Sequence, residues 1–330
     1  MHHPIFYLET GSTDPAYNLA FEEAVLHHCP EGDYLLLWQN CPTVVIGQNQ
    51  IPEAEINQDF VCRNGIRVIR RATGGGAVYH DLGNLNYSFI TDWHCEEDAA
   101  ISRFTAPIVK ALRDLGLDAE ATGRNDILVS GQKVSGTAQR FFRHRILHHG
   151  TLLFDSDLAM AAEALRSDPE KFRAKNTPSV RSRIGNIREH LTEDIALPAF
   201  WQYLKNTLAG NGLHPATLPE ATLAEAQRLK EEKYDSWEWN FGRTPQYQYT
   251  NKARFPGGTL EVRLDIAQGR IQNIAFLGDF LSACSLHPVE AALKGCPCQR
   301  ADAETILAQF SLRSYFGQIT RNEILDTIFA

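Results

Sequence analysis

Between positions 70 and 89 the chain constrains its own fold most tightly. Arg70 and Arg71 run through Ala72 and Thr73 into three consecutive glycines, Gly74, Gly75 and Gly76. Beyond them Leu85, Tyr87 and Phe89 alternate with Asn84, Asn86 and Ser88. Alternation with period two is the pattern of a strand that buries one face, which leaves the polar face to line a pocket. Without Cβ atoms the glycine backbone can take positive φ angles and bring its N–H groups close to a ligand's oxygens. The planar guanidinium forks beside it match carboxylate or phosphate. The stretch therefore reads as an anion loop feeding a strand. It matches neither common nucleotide fingerprint: no Gly-Lys-Ser/Thr follows, and Tyr79 stands where a dinucleotide loop needs a glycine. A flexible turn remains the plainer reading of the three glycines alone.

The rest of the chain surrounds that loop with alternating elements. Asp14-Pro15 reads as an N-cap followed by proline at the first helical position, and Tyr17, Ala20, Phe21, Ala24 and Val25 then recur at helical spacing. Residues 34–38 and 43–46 read as two strands joined by a turn, and 52–64 as a helix ended by Gly65. A further helix is expected over 102–115, with Pro107 kinking it or delaying its start. Residues 123–138 read as a hairpin turning at Ser130-Gly131, with Lys133 on its second strand among Gly131, Ser135 and Gly136. A strand lysine is ordinarily a solvated side chain, but small neighbours suit close approach of a ligand to the backbone. His148 and His149, at the head of an apolar strand over 151–154, face opposite ways, which suits packing or one substrate contact better than a shared metal. Asp157 is expected to cap a helix over 158–165.

Aromatic residues crowd positions 234–249, including Trp237, Trp239 and Phe241 before Gly242, and mark a domain joint. Beyond it a hairpin over 259–266 and 270–276 and two short helices, over 288–293 and 302–310, make a small α+β module large enough to fold alone. The 330 residues, 43% of them hydrophobic, suffice for two such domains. A net charge of −8 disfavours a general grip on nucleic acid. The start carries no targeting signature, and no run reaches the roughly 18 apolar residues of a membrane span, so a cytoplasmic location is expected. Seven cysteines without framework spacing fit free thiols in a reducing compartment, and the close pair Cys296 and Cys298 has too few neighbouring ligands for a metal site.

Taken together, three signatures resemble the lipoate-protein ligases, which share a catalytic fold with biotin ligases and octanoyltransferases. They are Arg70-Arg71 through Gly74, Gly75 and Gly76 to His80-Asp81 and Gly83-Asn84; Gly123-Arg124-Asn125-Asp126 through Lys133-Val134-Ser135-Gly136; and His149-Gly150-Thr151-Leu152. Ser179-Val180-Arg181-Ser182-Arg183, the aromatic joint and the terminal module extend the resemblance over nearly the whole chain. It implies an α/β (α+β) fold: a biotin/lipoate ligase-like catalytic domain with a mixed β-sheet and packed helices over 1–243, a linker at 244–249, and a small α+β C-terminal accessory domain over 250–330. A hinge would lie at 243–249.

The resemblance also implies chemistry. Lipoate's carboxylate attacks the α-phosphate of ATP, giving lipoyl-AMP and pyrophosphate, and a lysine on a lipoyl domain then takes the acyl group as an amide. Lys133 would be the catalytic cation, touching both lipoate and ATP. Arg71, Gly76, Ala77, Val78 and Tyr79 would hold ATP, while Arg70, Gly74, Gly75 and His149 would meet lipoate or lipoyl-AMP. Magnesium would accompany ATP, with Asp126 as its ligand. The acceptors implied are the lipoyl domains of 2-oxoacid dehydrogenase E2 proteins and the glycine cleavage H protein, served by a monomeric enzyme, with no nucleic acid or membrane involved. Three alternatives stand beside this: an octanoyl or lipoyl transferase of the same fold, which needs an activated cysteine although none lies between Glu96 and Ala283; a biotin ligase, whose adenylate loop would carry a different arginine-glycine pattern; and a non-catalytic lipoyl-domain-binding protein.

Overall fold

The computed structural model describes residues 5–93, 101–122, 125–165, 184–208, 213–242, 249–267 and 269–329. Arg124, the basic spot at Arg181 and Arg183, and nearly all of the expected linker lie outside them. Strands run in chain order β1 (Ile5–Leu8), β2 (Asp33–Trp38), β3 (Thr43–Ile46), β4 (Arg67–Arg70), β5 (Val78–His80), β6 (Asn84–Asp92), β7 (Ala119–Thr122), β8 (Asp126–Val129), β9 (Gln132–Phe142), β10 (Arg145–Leu153), β11 (Leu213–Pro215), β12 (Tyr249–Phe255), β13 (Gly258–Ala267) and β14 (Arg270–Gly278). A mixed eight-stranded sheet has the order β11-β1-β2-β6-β10-β9-β8-β7, parallel at its β11-β1-β2 end and antiparallel elsewhere. Strands β4-β3-β5 form a second small sheet. The expected pair at 34–38 and 43–46 is therefore no hairpin: β2 and β3 enter different sheets, and the turn between them carries the chain from one to the other.

Strand β6 lies inside the large sheet, so both of its faces are buried rather than one. Leu85, Tyr87 and Phe89 join a core closed by the helices Ile101–Asp114 and Leu197–Leu208. The opposite face is covered by the helix Pro15–His28, which Asp14 caps by accepting from the Ala16 N–H, an interaction worth about 1 kcal/mol. Pro107 sits within the helix Ile101–Asp114 and neither breaks it nor delays its start. Residues 52–64 fold as two short helices, Pro52–Glu55 and Gln58–Arg63, because the Asn57 side chain caps the second. At the β8–β9 turn Ser130 and Gly131 both take positive φ, as a two-residue hairpin requires.

The terminal module has its own core around Leu260, Phe276, Phe280 and Phe316. It adds one strand and two helices to the expected set: β12 pairs with β13, and Leu312–Phe316 and Arg321–Ile328 follow the helices His287–Leu293 and Arg300–Leu307. Its backbone contacts with the large domain fall on the glycine loop, on Asn49 and on the end of β9. Gly74 N–H donates to Ser282 O at 3.1 Å, Gly75 N–H to Phe280 O at 3.0 Å, Gly278 N–H to Asn49 O at 2.8 Å and Phe141 N–H to Ala283 O at 2.7 Å.

Candidate active site

The polar face of β6, the first helix and the small sheet enclose a cavity of about 120 Å³. Leu19, Trp38, Val45 and Val78 form its apolar wall; Arg71, Gly75, Gly76, Ala77, His80, Asn86, Lys133, Gly136, His149 and Thr151 supply the rest of the lining the chemistry needs. One space thus joins the glycine loop, the β9 lysine and the β10 histidine, which lie far apart in sequence.

Lys133 Nζ forms an ion pair with Asp126 Oδ1 at 2.7 Å, across the β8–β9 hairpin. Both side chains are about one third exposed, so the pair is screened and readily exchanged for a ligand. Gly136 leaves the room that Lys133 uses: a Cβ there would stand 3.3 Å from Nζ and 3.4 Å from Cε. Gly136→Ala is therefore expected to shift the ammonium by a few tenths of an ångström and to slow a Lys133-dependent reaction by about 10-fold without unfolding the chain, as kinetics beside a thermal melt would show.

Arg71 is buried and builds the loop from within. Its Nη2 donates to Gly74 O at 2.6 Å and Gly76 O at 2.8 Å, and its Nε donates to the Thr73 hydroxyl at 2.9 Å. Burial lowers its pKa to about 10, partly offset by the Glu22 carboxylate, so it stays cationic at neutral pH. The Thr73 hydroxyl meets His149 Nε2 at 2.9 Å, and His149 Nδ1–H donates to Glu22 at 2.9 Å. Ser88 also donates to Glu22 and receives the Trp38 indole N–H. Arg71, Thr73, His149 and Glu22 are thus one buried chain that ties the anion loop to the first helix. His148 faces the other way, stacked on Phe104, as two adjacent strand positions require.

Arg70 departs from the expected role. It is 1% exposed, and its guanidinium donates to the carbonyls of Gly47, Gln48, Gln50, Trp239 and Asn240. It braces the loop against the aromatic joint and does not line the cavity. Gly74 likewise faces the terminal module: a Cβ there would lie 2.5 Å from Ser282 N. Tyr79 is buried in β5 behind the cavity wall formed by Ala77 and Val78, and Asp126 reaches the cavity through Lys133. Glu22 escaped the sequence reading because a glutamate on an amphipathic helix ordinarily marks its solvated face, and only the fold shows that face to be covered. His80 and Asn86 belong to the quoted motif and the alternating strand, but neither spacing nor residue type gave them a role.

None of the six described cysteines lines the cavity. Among the described residues no group of three or more His, Cys, Asp or Glu side chains could hold a metal, and no helix is long and apolar enough to cross a membrane.

An anion loop and an ammonium are set against an apolar wall on this mixed sheet, with a small module docked on the loop. The model of the lipoyl protein ligase A/B catalytic domain matches residues 14–209, and that of the bacterial lipoate protein ligase C-terminus matches residues 244–328. The chain belongs to this family. It is 39% identical to the lipoate-protein ligase LplJ of Bacillus subtilis, with 98% of this chain and 100% of that protein covered. It is 38% identical to lipoate–protein ligase 1 of Staphylococcus aureus, over 97% and 98%. Among solved structures, a lipoate-protein ligase A bound with ATP superposes with TM-score 0.64 at 29% identity, covering 74% of this chain and all of that one. A bi-partite lipoate protein ligase of Thermoplasma acidophilum, described with its E2 lipoyl domain, gives 0.63 at 30% identity, covering 76% of this chain and all of that one. The fold extends to the LipL1 of P. falciparum, with TM-score 0.79 at 22% identity over 98% of this chain and 97% of that one.

Proposed function

We propose that this chain is an ATP-dependent lipoate-protein ligase, which converts lipoate and ATP to lipoyl-AMP and pyrophosphate and then passes the lipoyl group to a lysine of a lipoyl domain. The observation that carries this reading is the single cavity in which Lys133 and the Arg71-braced glycine loop face Leu19, Trp38, Val45 and Val78. Such a wall accepts the lipoyl chain by burying its apolar surface. The Lys133 ammonium, exchanging Asp126 for ligand oxygens, offsets the repulsion between lipoate carboxylate and α-phosphate. Gly76, Ala77 and Val78 offer the edge and wall along which ATP lies, with Arg71 behind them and Tyr79 supporting that wall from within β5. Gly75 and His149 border the lipoyl-AMP position, while Arg70 and Gly74 act on it through the loop. Magnesium enters with the phosphates, and Asp126 supplies one carboxylate; a single carboxylate suits an ion carried by its nucleotide rather than a resident metal.

The ATP-bound and E2-paired relatives support ATP as co-substrate and a lipoyl domain as acceptor. Acceptors of the 2-oxoacid dehydrogenase E2 and glycine cleavage H types, a monomeric state and a cytoplasmic location complete the proposal. The test is lipoate-dependent exchange of labelled pyrophosphate into ATP with magnesium and no acceptor, with octanoate and biotin alongside. Exchange with lipoate is expected; no exchange with any acid from folded protein would refute it.

The docked module occupies Gly74 N–H and Gly75 N–H with its own carbonyls. A ligand anion drawn to the loop competes for these donors, which fits a module that swings on a hinge at 243–249 between the half-reactions. Limited proteolysis near residue 245 is expected to change when lipoate and ATP are added together, and an unchanged pattern would contradict the swing. Gly74→Val should weaken the docking by about 1–3 kcal/mol through overlap with Ser282, read as faster cleavage in the free protein.

A further inference from the structure

His80 and Asn86 each carry a donor that nothing in the described structure accepts. The two side chains are 3% and 2% exposed, and both residues line the cavity. The tautomer of His80 follows from a chain of amides. Asn18 Nδ2 donates to Gln39 O at 2.7 Å and to Asn40 Oδ1 at 2.9 Å, which leaves Asn40 Nδ2 to donate to His80 Nδ1 at 3.0 Å. The ring proton of a neutral His80 therefore sits on Nε2, and Nε2 has no partner. Burial, with Arg71 and His149 near by, lowers the pKa of the ring to about 3, so it stays neutral at working pH. Asn84 Nδ2 donates to Asn86 Oδ1 at 3.0 Å, and Asn86 Nδ2 is left unpartnered. In register, Asn86 lies between Trp38 of the apolar wall and Thr151, whose hydroxyl accepts from the N–H of Gly136 under Lys133. Asn86 thus lies where the apolar wall meets the lysine, and the His80 ring stands edge-on to the same Trp38, with ring centroids 6.2 Å apart.

We propose that His80 Nε2–H and Asn86 Nδ2–H are hydrogen-bond donors to the acyl carbonyl oxygen of the bound acyl-adenylate, and that they stabilise the oxyanion formed when the acceptor amine attacks. The proposal rests on the ligase reading. In that step the amine nitrogen bonds to the carbonyl carbon and the C=O π pair moves onto oxygen. The pair then returns to re-form the C=O, the C–O bond to the AMP phosphate breaks with its electrons on AMP, and the amine's surplus proton passes to solvent. Neutral donors suit a charge that exists only in passing, because they do not ion-pair with the starting carboxylate. Adenylation makes no such demand, since the carboxylate oxygens lose charge as one of them attacks phosphorus. The two half-reactions therefore separate this role from a structural one.

The experiment measures lipoate-dependent pyrophosphate exchange and, separately, single-turnover aminolysis of enzyme-bound lipoyl-AMP by hydroxylamine and by a lipoyl domain, in the unmodified protein, His80→Leu and His80→Gln. His80→Leu should slow aminolysis by roughly 100-fold, about 10-fold or more beyond any slowing of exchange, and His80→Gln, which keeps an N–H at the ring's far edge, should recover most of the loss. Equal losses in both half-reactions, or none in either, would overturn the proposal. The carbonyl stretch of a 13C-labelled lipoyl-sulfamoyl-adenosine bound to the unmodified protein provides a reading independent of folding in the variants. A frequency below that in water supports the proposal, and one equal or higher refutes it. Absence of exchange in the unmodified protein would instead remove the ligase reading on which the proposal stands.

Discussion

Lys133→Ala is expected to lower lipoate-dependent pyrophosphate exchange by roughly 1,000-fold while the protein remains folded. Removing a single neutral oxyanion donor commonly costs about 100- to 1,000-fold, and an ammonium that faces two anionic reactants belongs at or beyond the upper end of that range. The fold survives because the lysine contributes little to it: its partner Asp126 is one third exposed, and such pairs contribute about 1 kcal/mol or less. Lys133→Arg is not expected to restore activity. Its planar head is wider, and the space above Gly136 is measured against a slim ammonium, with Nζ already 3.3 Å from where a Cβ would stand. Exchange kinetics beside a thermal melt check both points. Lys133→Ala with exchange near the unmodified level would remove the charge-bridging role.

What was legible in the sequence was the part that local chemistry dictates. Asp14, Asp157 and the Ser130-Gly131 turn act within a few residues of themselves, and the structure places each at its expected cap or turn. Gly75, Gly76, Lys133 and His149 were nameable through motif resemblance, and the fold gathers all four around one cavity. What stayed hidden depends on partners distant in sequence. Arg70 and Arg71 are chemically identical neighbours on an extended chain, so one must face away from the other; only the fold decides that Arg71 turns to the glycine carbonyls and Arg70 to the joint near Trp239. Glu22 and Glu23 divide in the same way. Glu22 holds His149, while Glu23 accepts from Lys233 and Tyr234, where the chain enters the joint. Two adjacent helical glutamates thus anchor the site on one side and the brace behind its loop on the other.

Acid should destabilise this protein well before its carboxylates begin to protonate, because three histidines are folded into it as neutral rings. Burial lowers the pKa of His80 and His148 to about 3 and that of His27 to about 4, from an ordinary value near 6.5. The unfolded chain therefore binds protons below pH 6.5 that the folded chain refuses, and stability present above that pH is lost as pH falls toward 3. Between pH 7 and pH 5 each ring contributes about 2 kcal/mol of this loss, together about 6 kcal/mol, or on the order of 15 °C in Tm for a domain of this size. The carboxylates of Glu9, Asp14 and Glu23 are held below their ordinary range and stay ionised in both states over that window, so they neither add to the slope nor offset it. His148→Phe separates the cause from a general acid effect. A phenyl ring keeps the stack on Phe104, removes one titration and leaves the Gln139 amide without its acceptor, a loss equal at both pH values. Denaturant unfolding at pH 7 and pH 5 is expected to show the variant with about two thirds of the pH-dependent loss of the unmodified protein. An identical loss in both proteins would mean that His148 accepts its proton in the folded state, and the packing of its ring against Phe104 would have to be revised.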